Sequence, residues 1–147
     1  MKVLLVYPLT PDTFWSFKHV LRFVSKRAAF PPLGLLTVAG MLAADWQLKL
    51  VDLNVTRLTD GDLRWADYMM ISAMIVHKAS VPDIVNRCRR FSKPVIAGGP
   101  LFTTGHAAIP DIDHFVLGEA EELLPQLIEY MRCGTLLPHN ASPGHPD

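Results

Sequence analysis

Residues 94–105 read PVIAGGPLFTTG, an apolar run that stops at two adjacent glycines and a proline. A strand that hands over to an ordinary helix needs one capping residue, usually Ser, Thr, Asp or Asn. A tight turn with positive φ needs one glycine, not two. Removing two side chains in a row suits the close approach of a bulky ligand or another backbone, and Pro100 then follows with no N–H to offer.

The run ahead of these glycines is one of five. Residues 2–7, 48–51, 68–72, 94–97 and 114–117 are short and nearly continuous in hydrophobicity. Such runs suit strands of a parallel sheet covered on both faces, where alternation is not required. Helical patterns separate them. The expectation is an α/β doubly wound domain, Rossmann-like with the flavodoxin-like order, in which a five-stranded parallel sheet carries helices on both faces. At 147 residues the chain fits one domain with a substantial core.

Helix signals are specific in places. Pro31 and Pro32 introduce LGLLTVAGMLAA, apolar nearly all round and so expected to be buried on more than one side. Ser80 followed by Asp83 resembles a capping box. Acidic residues at 119–122 precede LLPQLIEYM, where the helix dipole favours them, and Pro125 is expected in that helix's first turn. Two segments break the rhythm. Residues 8–30 form a long insertion in which Phe14, Phe17, Leu21 and Val24 fall at helical spacing. Residues 137–147, LPHNASPGHPD, hold three prolines and no apolar period, so 1–134 is expected as the domain and 135–147 as a linker or the start of a further domain.

Composition excludes several classes. Formal net charge is zero, which removes a general electrostatic case for nucleic acid or an anionic membrane. The two cysteines, Cys88 and Cys133, have no metal-ligand spacing and suit a reducing cytoplasm. MKVLLVYP is too short in apolar residues for a signal peptide, and no run is long enough for membrane insertion. No G-x-G-x-x-G follows the first strand and no P-loop occurs. A receiver domain would need Asp where Ser72 ends the third strand. Asp52 ends the second, where it suits a ribose contact or a helix cap. His77 and His106 read as solvated loop residues. What remains is a floor of small residues at the third and fourth strand ends: Ser72-Ala73-Met74 and Gly98-Gly99, with Thr103 and Thr104 adding hydroxyls. That floor favours a large ligand over turn geometry alone.

The ordered series TFWSF, PPLGLLTVAGML, VDLNV, WADYMMISAMIVHK, AGGP and GEAEELLPQL resembles the N-terminal cobalamin-binding domain of radical S-adenosylmethionine enzymes, from residue 1 to about 134. TFWSF and ISAMIVHK resemble the branch that includes hopanoid methylases. The resemblance implies a module that holds vitamin B12 as methylcobalamin for a downstream catalytic domain, methyl transfer being the reaction of the longer protein. Ser72-Ala73-Met74 matches the family's Ser-x-Leu motif with Met for Leu, and Gly98-Gly99 matches its Gly-Gly motif. Ser72 would then meet the dimethylbenzimidazole tail, and the glycines would let that tail pass. Asn54, Ile75, Pro100, Thr103, Gly118 and Glu119 complete the implied cofactor-binding set. The family's Asp-x-His-x-x-Gly motif is missing from PLTPDTFWSF, which implies base-off cobalamin with no histidine on cobalt. No Cys-x-x-x-Cys-x-x-Cys motif occurs, so an iron–sulfur cluster and S-adenosylmethionine would belong to the downstream domain, and this chain alone is not expected to be catalytic. Two alternatives share the fold: a flavin- or nucleotide-binding domain, for which PLTPDT is a poor phosphate nest, and a docking domain without cofactor.

Overall fold

A computed structural model describes residues 1–11, 31–105 and 109–141 of the chain. The inserted segment falls largely on 12–30, and His106 on 106–108, so both readings lie outside the described residues. Six strands form one parallel sheet in the order β2-β1-β3-β4-β5-β6. They are β1 (Lys2–Tyr7), β2 (Gln47–Asp52), β3 (Tyr68–Ser72), β4 (Val95–Gly98), β5 (His114–Leu117) and β6 (His139–Ala141). The first five are the expected strands in the flavodoxin-like order, with β2 and β4 shifted by a residue at their ends.

The sixth corrects the expected count of five. It lies within the stretch 135–147 read as a linker, and it pairs with β5 from Phe115↔His139 to Leu117↔Ala141. An edge strand needs only backbone N–H and C=O groups to extend a ladder, so HNA can pair without an apolar signature.

The strand sequences explain the layers. In β1, Val3 and Leu5 face one layer while Leu4 and Val6 face the other, and all four are buried. Helices α1 (Leu33–Met41) and α5 (Ala120–Cys133) cover the first face. Helices α2 (Asp60–Trp65), α3 (Val81–Arg90) and α4 (Pro100–Gly105) cover the second. Helix α2 starts at a full capping box: Thr59 accepts from the Asp62 backbone N–H, and Asp62 Oδ2 accepts from the Thr59 N–H at 2.8 Å.

Three helix expectations need correction. In α1 only Leu35 is buried; Leu33 is 67% and Leu36 45% exposed. The sheet lies beneath one side of α1, and among the described residues nothing covers the other. Ser80 makes no side-chain cap for α3, because its hydroxyl is drawn to the Leu9 and His77 carbonyls, both at 3.0 Å. Pro125 is the sixth residue of α5, past the first turn, where it deprives the Glu121 carbonyl of its intrahelical donor.

Candidate functional site

At the carboxyl ends of β3, β4 and β5 the α1/α5 face of the sheet is opened by small residues. Ser72 pairs in register with Gly98, and Gly98 with Val116. Side chains alternate along a strand, so Ser72 follows Met70, and Gly98 follows Ile96, on the face that α1 and α5 cover. Where a third row of apolar side chains would stand, one hydroxymethyl and one hydrogen stand instead. The result is a cleft of about 490 Å³ between the sheet, α1 and α5. Met70, Ile96 and Val116 form its floor, and Leu124 and Leu127 of α5 and Leu35 and Val38 of α1 form its walls.

Seven of the ten implied cofactor residues line this cleft: Ser72, Gly98, Gly99, Pro100, Thr103, Gly118 and Glu119. The two glycines do different things. Gly99 has φ +97°, and a Cβ there would meet Ala73 O at 3.0 Å, Ala73 N at 3.2 Å and Ser72 Oγ at 3.2 Å. Its lack of a side chain is required by its own chain: Leu101 N–H donates to Ala73 O at 3.0 Å, which locks the β4–α4 turn onto the β3 turn. A Cβ on Gly98 would meet only Val116, its carbonyl oxygen at 3.4 Å and its Cβ at 3.6 Å. That is near ordinary contact, so what the missing side chain frees at Gly98 is cleft volume. Gly118, at φ +112°, is the corresponding glycine turn after β5. The Thr103 and Thr104 hydroxyls donate back to the Gly99 and Pro100 carbonyls at 3.2 and 2.9 Å.

The other three lie outside the cleft. Met74 and Ile75 are exposed, with Val76, on a 3-10 turn (Ile75–His77) after β3. Asn54 is a bracket between loops: its Nδ2 donates to Pro8 O at 3.1 Å and Asp52 Oδ1 at 2.8 Å, and its Oδ1 accepts from Thr10 N–H at 2.9 Å. Asp52 caps no helix; its Oδ1 also accepts the Asn54 N–H at 2.9 Å. Walls such as Gly34, Thr37 and Leu127 were not singled out as site residues, although PPLGLLTVAGML and GEAEELLPQL carry them.

His77 is also corrected, because it is fully buried. Met74 N–H donates to its Nδ1 at 3.1 Å, and Thr10 Oγ1 lies 3.1 Å from its Nε2. An N–H can only donate, so Nδ1 is the acceptor and the proton of the neutral ring sits on Nε2, donating to Thr10. The Tyr7 ring stands edge-on at 4.9 Å. Burial lowers the imidazole pKa and the Asp52 carboxylate partly opposes this; burial and then Asp52 raise that of Tyr7. Both ring nitrogens are therefore in use. Among the described residues no group of three His, Cys, Asp or Glu could hold a metal ion, and no helix is long and apolar enough to cross a membrane.

A cleft on one sheet face, lined by small residues at the strand ends, can take an elongated ligand. Comparison with known proteins gives the family. The family model described as "B12 binding domain" matches residues 23–128, more than half of the chain. The chain is 39% identical over 140 residues to an uncharacterized methyltransferase of Synechocystis sp., covering 91% of this chain and 25% of that protein. It is 34% identical over 128 residues to the hopanoid C-2 methylase of Rhodopseudomonas palustris, covering 86% of this chain and 24% of that protein. It thus spans about a quarter of the length of these relatives. No solved structure matches.

Proposed function

This chain belongs to the B12 binding domain family, and we propose that it holds cobalamin with the nucleotide tail in the α1/α5 cleft and the macrocycle at the strand ends, for methyl transfer by a longer protein. The observation that carries this reading is the Ser72–Gly98 opening of the sheet face. A cleft of about 490 Å³ lies within the range of small-molecule sites, roughly 300–1,000 Å³. It admits a nucleotide-sized tail and is too small for the whole cofactor, so the residues present fit the group when the macrocycle stays outside.

When bound, cobalamin supplies a transferable methyl group. The chain's own residues bind and orient it. Ser72 offers a hydroxyl at the cleft mouth. Met70, Ile96 and Leu124 exclude water from the tail, and Gly98 leaves it room. Glu119 and Thr103 border the rim, where polar edges of the tail would pass. No histidine of the described residues is aimed outward at the strand ends, since His77 is spent on Met74 and Thr10. We therefore infer a base-off cofactor with no histidine ligand. The partner is a radical S-adenosylmethionine domain downstream in the same protein, carrying the iron–sulfur cluster. Residues 1–134 form the body of the cofactor module, and the β6 edge strand adds to its sheet. The buried and the exposed free cysteine suit a reducing cytoplasm.

Titration of the purified chain with hydroxocobalamin, followed by visible absorption and gel filtration, tests the reading. Co-elution with a base-off spectrum is expected. A folded chain that binds none, alone or joined to its downstream sequence, refutes it.

A further inference from the structure

We propose that His77 is a positioning residue for the cofactor: through Met74, Thr10 and Asn54 it holds the apolar turn Met74-Ile75-Val76 rigid as a rest for the flat face of the macrocycle. The inference rests on the cobalamin reading above and adds to it the device that shapes the strand-end surface.

Met74, Ile75 and Val76 are 51%, 62% and 50% exposed. Three consecutive apolar side chains held out in water lose the stabilisation of burial, about 25 cal/mol for each Å² left wet, and such a patch marks a contact surface. A mobile loop could fold them inward. Here the turn is fixed at both ends, with Met74 N–H donating to His77 Nδ1 and His77 N–H donating to Met74 O at 2.9 Å. From the same ring Nε2–H donates to Thr10 Oγ1, the Thr10 N–H donates to Asn54 Oδ1, and Asn54 reaches Pro8 O and Asp52. One hydrogen-bonded chain thus ties the ends of β3, β1 and β2.

This wiring consumes the polar groups internally. Both imidazole nitrogens, both protons and the oxygen of the Asn54 amide, and the Met74 N–H all have partners within the strap. The side chains that the turn presents outward are apolar, two aliphatic and one thioether. Leu9, half exposed beside it, is held by its carbonyl through Ser80 Oγ. To reach a metal at the strand ends, His77 would have to break two hydrogen bonds and leave the Met74 N–H and Thr10 hydroxyl without partners, at about 1–3 kcal/mol for each group still buried.

The test compares the wild-type chain with His77→Asn, His77→Gln and Ile75→Ser. Imidazole ¹⁵N shifts read the tautomer, circular dichroism reads folding, and hydroxocobalamin titration reads affinity and spectrum. An Asn oxygen stands close to the Nδ1 position and still accepts the Met74 N–H; a Gln side chain reaches Thr10 and leaves that N–H unmatched. The expected results are an Nε2–H ring, affinity within about threefold for His77→Asn, and at least tenfold weaker binding for His77→Gln. Ile75→Ser, changed at an exposed side chain, should stay folded and also bind at least tenfold more weakly. Unchanged affinity in both His77→Gln and Ile75→Ser overturns this inference and leaves the cobalamin reading standing. So does a nitrogen-ligated spectrum in wild type that disappears in His77→Asn, since the ring would then be a ligand. A wild-type chain that binds no cobalamin, alone or with its downstream sequence, overturns both.

Discussion

Gly98→Ala and Gly99→Ala add the same methyl group to adjacent residues and should fail in different ways. At Gly99 the backbone sits at φ +97°, a conformation that strains an L-residue by about 1–3 kcal/mol. The new Cβ also lies 3.0 Å from a backbone oxygen and 3.2 Å from a backbone nitrogen, neither of which can swing aside; such overpacking costs about 1–3 kcal/mol. The sum, about 2–6 kcal/mol, corresponds to a fall in Tm of roughly 6–18 °C for a chain of this size. At Gly98 the nearest atoms stand at 3.4 and 3.6 Å and φ is not positive. Strand glycines are themselves unfavourable by about 0.5–1 kcal/mol relative to alanine, so Tm should move by no more than about 3 °C. The methyl group stands on the cleft floor instead, and hydroxocobalamin affinity should drop at least tenfold. Thermal melts and the titration read both variants. A Gly99→Ala chain melting within 2 °C of wild type, or a Gly98→Ala chain that unfolds early, refutes the division of labour.

Asp62→Ala removes a buried carboxylate that caps α2 and meets Lys49 Nζ at 2.5 Å; burial pushes its pKa up, but the bonds to Lys49 and Thr59 outweigh that and hold it low. A loss of about 2–4 kcal/mol in urea unfolding is expected, and a loss below 0.5 kcal/mol would show the cap to be dispensable. Burial lowers the pKa of both His77 and His114; for His114 the neighbouring His139 adds to this and the bond to the Leu137 carbonyl opposes it. The unfolded chain therefore binds protons near the ordinary histidine value of 6.5 and the folded chain only below it. Stability is full above pH 6.5 and declines as pH falls from there toward the folded values, by at most about 1.4 kcal/mol per ring per pH unit. The urea midpoint should be lower at pH 5.5 than at 7.5, with a smaller difference in His77→Asn; equal midpoints would contradict the neutral-ring assignment. Cys88 is fully buried and its thiol is pushed up to about 11, by burial first, whereas Cys133 is exposed. A thiol reagent at pH 8 should label one cysteine within seconds to minutes and the second only on unfolding, and two equally fast sites would refute the packing of α3.

The strands could be read from the sequence because strands covered on both faces must be apolar at every position, and KVLLVY and YMMIS meet that demand residue by residue. What escaped reading was set by distance. Thr10 and His77 are 67 residues apart, and Thr10 and Asn54 are 44 apart, so no local spacing tells a strapped histidine from a solvated one. The β6 edge escaped for the opposite reason, because pairing by backbone alone leaves no side-chain signal. Helix α1 shows a third limit: an apolar surface all round states that the helix meets apolar surroundings, but composition does not say where, and Leu33 and Leu36 stand exposed. The glycine pair joins these cases. Gly99 is glycine because the turn onto Ala73 admits nothing else, a constraint internal to the fold. Gly98 is bound by no such constraint, since its Cβ would fit beside Val116, and yet the sheet is opened there in register with Ser72, in the lining of the cleft of about 490 Å³. A residue that the fold permits to be larger, and that is kept minimal where a ligand would lie, is the stronger sign of function.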